Sequence, residues 1–325
     1  MKRVLLTFIA TFITTILVIA IYFLMLIKTK QNIYLPKDNN NSIYSVAVVN
    51  YLKKNGYSVG YLDELFLKQF TKPQAGWIYI NKKKLPRYKF LLQVGSYANH
   101  YTPITIIPGE TTYYVLRALK KKLNLNLMKL ELNYNKLAPF KEGNFLANTY
   151  NIPIYFKEKD VIKFLINSSL KEYKKISYKY YNDYNPKIWN KLLTIASIVQ
   201  KEAANKNEMP IIASVIYNRL NKKMRLQMDG TLNYGIYSHK KITPLRIKND
   251  TTTYNTYKHR GLPKYPVCNV SKDSILAAIN PTKSEYLYFM KNSKGRHNFS
   301  KDYKKHIKNI KKRKEELKGY QIKWV

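Results

Sequence analysis

Between Pro186 and Ala204 (PKIWNKLLTIASIVQKEAA) apolar residues recur at Ile188, Leu192, Ile195 and Val199, and the next position at helical spacing is Glu202. A carboxyl at the end of a buried stripe has its charged form disfavoured by the apolar turn before it. Its pKa rises, which keeps a carboxylic acid protonated for donation near neutral pH. Periodicity alone leaves a structural reading open beside the catalytic one: a frayed helix end that lets the carboxylate reach water, or a buried ion pair with one of many lysines.

Downstream, Tyr217-Asn218-Arg219-Leu220 closes another helix-like segment, and Met224 to Gly235 (MRLQMDGTLNYG) mixes amides, one acid, one arginine and an aromatic with glycine breaks. Sugar hydroxyls want amides and carboxylates, and sugar faces want rings, so Asn218, Arg219, Gln227, Asp229, Tyr254 and Asn255 are candidate substrate contacts. The same run also fits an ordinary surface loop. Asp229 reads either as a second carboxylate, orienting Asn218 or Arg219 or touching substrate, or as a turn aspartate before Gly230. His297 beside Arg296 reads as a structural hydrogen-bonder or an acid. Five scattered histidines without a His-x-x-x-His and a lone Cys268 give no metal site and no disulfide framework, and no cofactor is expected.

The elements that must hold these residues belong to an α+β protein. Helices are expected at 45–54, after the turn Pro108-Gly109-Glu110-Thr111-Thr112 with Val115, Leu116, Leu119 and Leu123 on one face, and at 161–168, 186–204, 209–220, 272–279 and 301–318. Strands are expected at 77–80, 102–107 and 286–290. From Val4 to Ile27 runs an uncharged stretch of 24 residues; as a helix it spans ~36 Å, more than a ~30 Å hydrocarbon core. No small-residue cleavage site follows it, so a retained membrane anchor is expected through residues 4–27. The three residues before the span cannot hold a domain, which puts the remainder on its far side, outside the cytoplasm. The expected order is anchor 1–27, polar linker 28–42, a small α+β subdomain 43–137 and a second, mixed α/β domain 138–325.

Lys+Arg number 58 against 19 Asp+Glu, a net charge of +39, with 45% hydrophobic residues. Such a chain buries a real core and is not a basic disordered tail. Of the cations, 49 are lysine and nine arginine. Base-reading proteins lean on the planar arginine fork, so no nucleic-acid partner is expected.

Thr194-Ile195-Ala196-Ser197-Ile198-Val199-Gln200-Lys201-Glu202-Ala203, Tyr217 to Leu220, Met224 to Asp229 with Thr231 and Tyr234-Gly235, Tyr254-Asn255-Thr256-Tyr257, Gly261-Leu262-Pro263, Ala277 to Pro281, Tyr286 to Phe289 and Gly295 to Phe299 form eight ordered blocks. Together they resemble the YceG-like endolytic murein transglycosylase family, over roughly Glu142 to His306. The resemblance implies a membrane-anchored lyase that cuts nascent peptidoglycan glycan strands internally, leaves a 1,6-anhydro-N-acetylmuramic end and so terminates elongation beside peptidoglycan synthases. It implies that Glu202 is the catalytic acid and that the 43–137 subdomain is LysM-like. This chain departs from the family pattern at Gln200, where a second glutamate is common, at Gly230, where proline is common, and at Ala147-Asn148, in place of Pro-Asp. The alternative class is a non-catalytic, membrane-anchored peptidoglycan-binding scaffold whose active site has lapsed.

Overall fold

The structure, a computed structural model, describes residues 2–30, 32–35, 45–80, 82–95, 101–154 and 156–322. It divides into two compact units, Met1–Tyr101 with Pro153–Tyr155, and Thr102–Ile152 with Phe156–Val325. The α+β class is as expected.

In the first unit, α1 (Lys2–Leu24) leaves its apolar side chains exposed along most of its length. It stops three residues short of the end of the uncharged run. Leu26–Lys28 form β1, antiparallel to β4 (Lys84–Pro86), with Ile27 opposite Leu85 and both buried. Burial of Ile27 in a folded core, together with the bond from the Arg87 amide to the Met25 carbonyl (2.9 Å), ends the helix there. β2 (Asn32–Leu35) pairs antiparallel with β3 (Gly76–Tyr79), and between them in the chain lie α2 (Ser45–Lys54) and α3 (Tyr61–Phe70). The segment 28–42 is therefore not a free linker throughout: Lys28 and residues 32–35 are strand, and 36–44 lie outside the described residues.

α4 (Arg87–Gly95) completes this unit's core, to which Leu52, Leu67, Ile80, Phe90 and Leu91 contribute fully buried side chains. One ion pair is sunk in it. Asp63 Oδ2 accepts from Arg87 Nη1 (2.8 Å) and from the Tyr22 hydroxyl (2.7 Å), and Arg87 Nη1 also donates to Tyr22 (2.9 Å). The last turn of α1 is thereby tied to α3 and α4.

In the second unit, β5 (Tyr101–Thr105) pairs with β6 (Thr149–Pro153), and α5 (Thr112–Leu123), α6 (Leu127–Leu137) and α7 (Glu158–Tyr181) precede the central helix α8 (Pro186–Glu202). Asn185 caps α8, its side chain accepting from the Lys187 and Ile188 amides, with Pro186 opening the first turn. From Leu192 to Val199 every residue of α8 is buried, against α9 (Met209–Asn221) and α11 (Lys272–Ile279). The stripe starts at Trp189 rather than Ile188, which is 62% exposed. α10 (Pro244–Asn249) is a short helix between α9 and α11. β7 (Tyr288–Lys291) and β8 (His297–Ser300) make an antiparallel hairpin, followed by α12 (Tyr303–Ile322).

The chain divides at Tyr101/Thr102, not at 137/138. The turn before α5 explains the difference. The Gly109 amide bonds the Asn269 carbonyl (2.9 Å), the Asn269 amide bonds the Glu110 carbonyl (2.8 Å), and the Thr111 hydroxyl bonds the Gly235 carbonyl (2.8 Å). Hydrogen bonds across more than a hundred residues knit α5 into the second unit.

Candidate active site

Glu202 is the last residue of α8, where unpaired helix carbonyls oppose negative charge. Its Oε1 accepts one hydrogen bond, 2.7 Å from the Gly230 amide. Burial pushes the carboxyl up from its ordinary 4.5 to about 7; the Gly230 bond pulls the other way and the Asp229 charge adds to the rise. Gly230 has no side chain for a steric reason. A Cβ there would stand 2.7 Å from Lys201 Cβ and 2.8 Å from Glu202 Oε1.

Glu202 faces a cavity of about 620 Å³ with Arg219, Gln227, Met228, Asp229, Tyr257, Tyr288 and Phe289 among its walls. His297, Tyr303, His306 and Arg313 lie farther round it. Rings and hydrogen-bonding groups thus surround a carboxyl of raised pKa in a space large enough for sugar rings. Asp229 Oδ1 accepts from the Tyr257 hydroxyl (2.7 Å). Burial, that bond, and the Asp229 and Glu202 charges all push the Tyr257 phenol up, so it stays a donor.

Four of the seven residues singled out in sequence meet here: Glu202, Arg219, Gln227 and Asp229. Arg219 and Gln227 reach the wall in different ways. Arg219 is 8% exposed and anchors the loop after α9, with Nε donating to the Leu287 carbonyl (2.6 Å) and Nη1 to those of Leu226 (2.6 Å) and Arg225 (3.2 Å). Gln227 is exposed toward the cavity at φ 49°, its amide held by the Thr256 carbonyl (3.1 Å), so the backbone turns its side chain out.

Asn218, Tyr254 and Asn255 do not line the cavity. Asn218 Nδ2 donates to the Ser284 (2.8 Å) and Tyr286 (3.0 Å) carbonyls. Tyr254 stacks on Tyr234, centroids 4.3 Å apart. Asn255 is fully buried, donates to the Ile247 and Asp250 carbonyls, and accepts from the Tyr257 amide (3.2 Å). It positions Tyr257, the ring that sequence reasoning passed over two residues away. His297 lines the cavity, and its Nδ1 lies 2.7 Å from Glu208 Oε2, the structural hydrogen bond of the first reading. Gln200 points elsewhere: its Oε1 accepts from the amide (3.2 Å) and hydroxyl (2.7 Å) of Ser271, which caps α11. The acid beside Glu202 is Asp229, 27 residues on. Among the described residues no cluster of three or more His, Cys, Asp or Glu could hold a metal ion.

The model of the YceG-like family matches residues 42–312. The chain belongs to that family. It is 34% identical over 319 residues to the endolytic murein transglycosylase of Bacillus subtilis, covering 86% of this chain and 84% of that protein. It is 36% identical over 177 residues to the endolytic murein transglycosylase of Streptococcus pneumoniae strain D39, a match covering 52% of this chain and 31% of the relative. The crystal structure of a YceG-like protein from Listeria monocytogenes superposes with a TM-score of 0.54 at 25% identity, over 86% of this chain and 99% of that one.

Proposed function

We propose that this YceG-like protein is a lytic transglycosylase that cleaves peptidoglycan glycan strands internally, with Glu202 as its acid and base. The observation that carries the assignment is a carboxyl held near pH 7 by burial, with one hydrogen bond and an open side facing a ring-lined cavity. The names of the relatives supply the substrate class.

Protonated Glu202 donates to the glycosidic oxygen as the bond from muramic C1 breaks, leaving a carboxylate and a cationic C1. The sugar's own 6-hydroxyl then attacks C1, and the Glu202 carboxylate takes its proton, giving the 1,6-anhydro end and restoring the acid. One carboxyl suffices because no water is activated, unlike in the two-carboxylate hydrolases. Asp229, held by Tyr257, stands beside the acid and adds to the rise of its pKa.

The helix Arg3–Leu24 is long and apolar enough to cross a membrane. We read it as the anchor, with both units on the extracytoplasmic face, where nascent strands and their synthases are found. The strand, helix, helix, strand order of β2, α2, α3 and β3 supports a LysM-like role for the first unit in holding glycan.

The test uses full-length protein in detergent on purified nascent strands, with products read by mass spectrometry. Anhydro-muramic ends are expected, reduced ~10²–10⁴-fold in Glu202→Gln. Equal product from both proteins would remove Glu202 from the mechanism, reducing muramic ends would make the enzyme a hydrolase, and glycan binding without cleavage would mean a scaffold.

A further inference from the structure

We infer that the outer face of α3, with Leu92 of α4, lies in the headgroup layer of the membrane that α1 crosses; the inference rests on the anchor reading above. The span Arg3–Leu24 has 22 residues, ~33 Å as a helix, so its last turn sits at the boundary of a ~30 Å hydrocarbon core. Phe23 is in that turn. Its ring packs on Phe66 of α3 with centroids 5.0 Å apart, and Phe66 packs on Phe70 at 4.9 Å. Side chains that touch Phe23 share its depth.

The apolar arc of α3 is wider than the core beneath it. Leu67 and the ion-paired Asp63 face inward and are fully buried. Leu62, Leu65, Phe66 and Phe70, spaced i, i+3, i+4 and i+8, extend the apolar arc sideways from that face, with Phe66 packed on the edge of the core. Phe70 is 66% exposed, Leu65 41% and Leu92 40%. Hollows beside Phe23, Leu62 and Phe66, and beside Phe70 and Leu92, break this surface, with Lys68 at the edge of both and Lys72 at the second. Leucine and phenylalanine below with lysines at the rim is the composition of a segment lying in a membrane interface, where lysines reach lipid phosphates. The outer face of α2, by contrast, carries Asn50, Lys53 and Lys54 with Val46 as its one large exposed apolar side chain. The Tyr22, Asp63 and Arg87 hydrogen bonds keep α3 beside the end of the span.

The test reconstitutes the full chain in nanodiscs of phosphatidylglycerol and phosphatidylethanolamine with nitroxide-bearing acyl chains. A fluorophore is placed singly at Leu65→Cys, Phe70→Cys, Ile13→Cys in the span, or Lys53→Cys on α2; native Cys268 is buried and does not compete for label. Labels at Ile13, Leu65 and Phe70 are expected to lose most of their emission and the label at Lys53 little. Quenching at Ile13 with Leu65 and Phe70 behaving like Lys53 would overturn the inference, leaving this face to water or a protein. No quenching at Ile13 would overturn the anchor and this inference together, while glycan cleavage through Glu202 would stand on its own assay.

Discussion

Glu142 and Glu202 lie in the same unit, and burial pushes both from 4.5 to about 7, yet their surroundings differ. Glu142 is enclosed by donors: the Thr112 hydroxyl (2.6 Å), the Thr112 amide (3.0 Å to Oε2) and the Gly143 amide (2.9 Å). It holds the first residue of α5 in place, and Asn144 and Tyr134 close the network around it. Glu202 has a single donor and a cavity. Desolvation alone therefore does not mark a working acid. An open side and unused acceptor capacity do, and by that criterion Glu142 is structural.

The sharpest break between the two acids is in turnover. Glu202→Gln is expected to lose ~10²–10⁴-fold in glycan cleavage while Glu142→Gln, assayed below its melting range, keeps most of its rate per folded molecule. Comparable losses in both would erase the distinction. Next, Gly230→Ala forces a methyl against Glu202 Oε1 and Lys201 Cβ, and about a 10–100-fold fall in kcat is expected from a displaced acid, with glycan affinity little changed. An unaltered kcat would show that the Glu202 position is not set by this contact.

In stability the order reverses. Glu142→Gln replaces one acceptor oxygen with a donor amid donors, an expected cost of ~1–3 kcal/mol, read as a melting point lower by about 5 °C. For Glu202 the folded pKa, about 7, lies above its ordinary 4.5. The stability it contributes is present below pH ~4.5 and is lost as pH rises through ~7. Glu202→Gln should therefore melt with the parent at pH 4 and be more stable by ~1–2 kcal/mol at pH 8, a figure discounted for the carboxyl's opening to solvent. A variant equally stable at both pH values would mean that burial does not raise this pKa.

Helices with regular apolar spacing were legible from sequence: 45–54 and 272–279 match α2 and α11 residue for residue, and α8 and α9 end within two residues of expectation. α3, α4, α6 and α10 were missed. α3 spreads its apolar residues over a wide arc interrupted by a buried Asp63, so it shows no narrow stripe. Glu202 stood out in the sequence because it closes a buried helix face, and the structure places it at the end of that face. The cavity wall was not, since it comes from φ/ψ and long-range bonds: Asn255 and Tyr257 stand two residues apart on a turn, and backbone geometry alone decides that the tyrosine faces Asp229 while the asparagine ties the loop. Asp229 comes beside Glu202 next to the Gly230 amide that bonds the carboxyl, a contact that periodicity does not encode.

The junction of α1 with β1 sets a rule for sequence change. Tyr22 is bonded to Asp63, and Ile27 is locked in register with Leu85 five residues later. One residue inserted between them would have to turn the preceding helix by about 100° and advance it by ~1.5 Å. Among homologues that keep the Tyr22, Asp63 and Arg87 contacts, the exposed letters of α1 are free to drift, whereas insertions and deletions at its end should be rare.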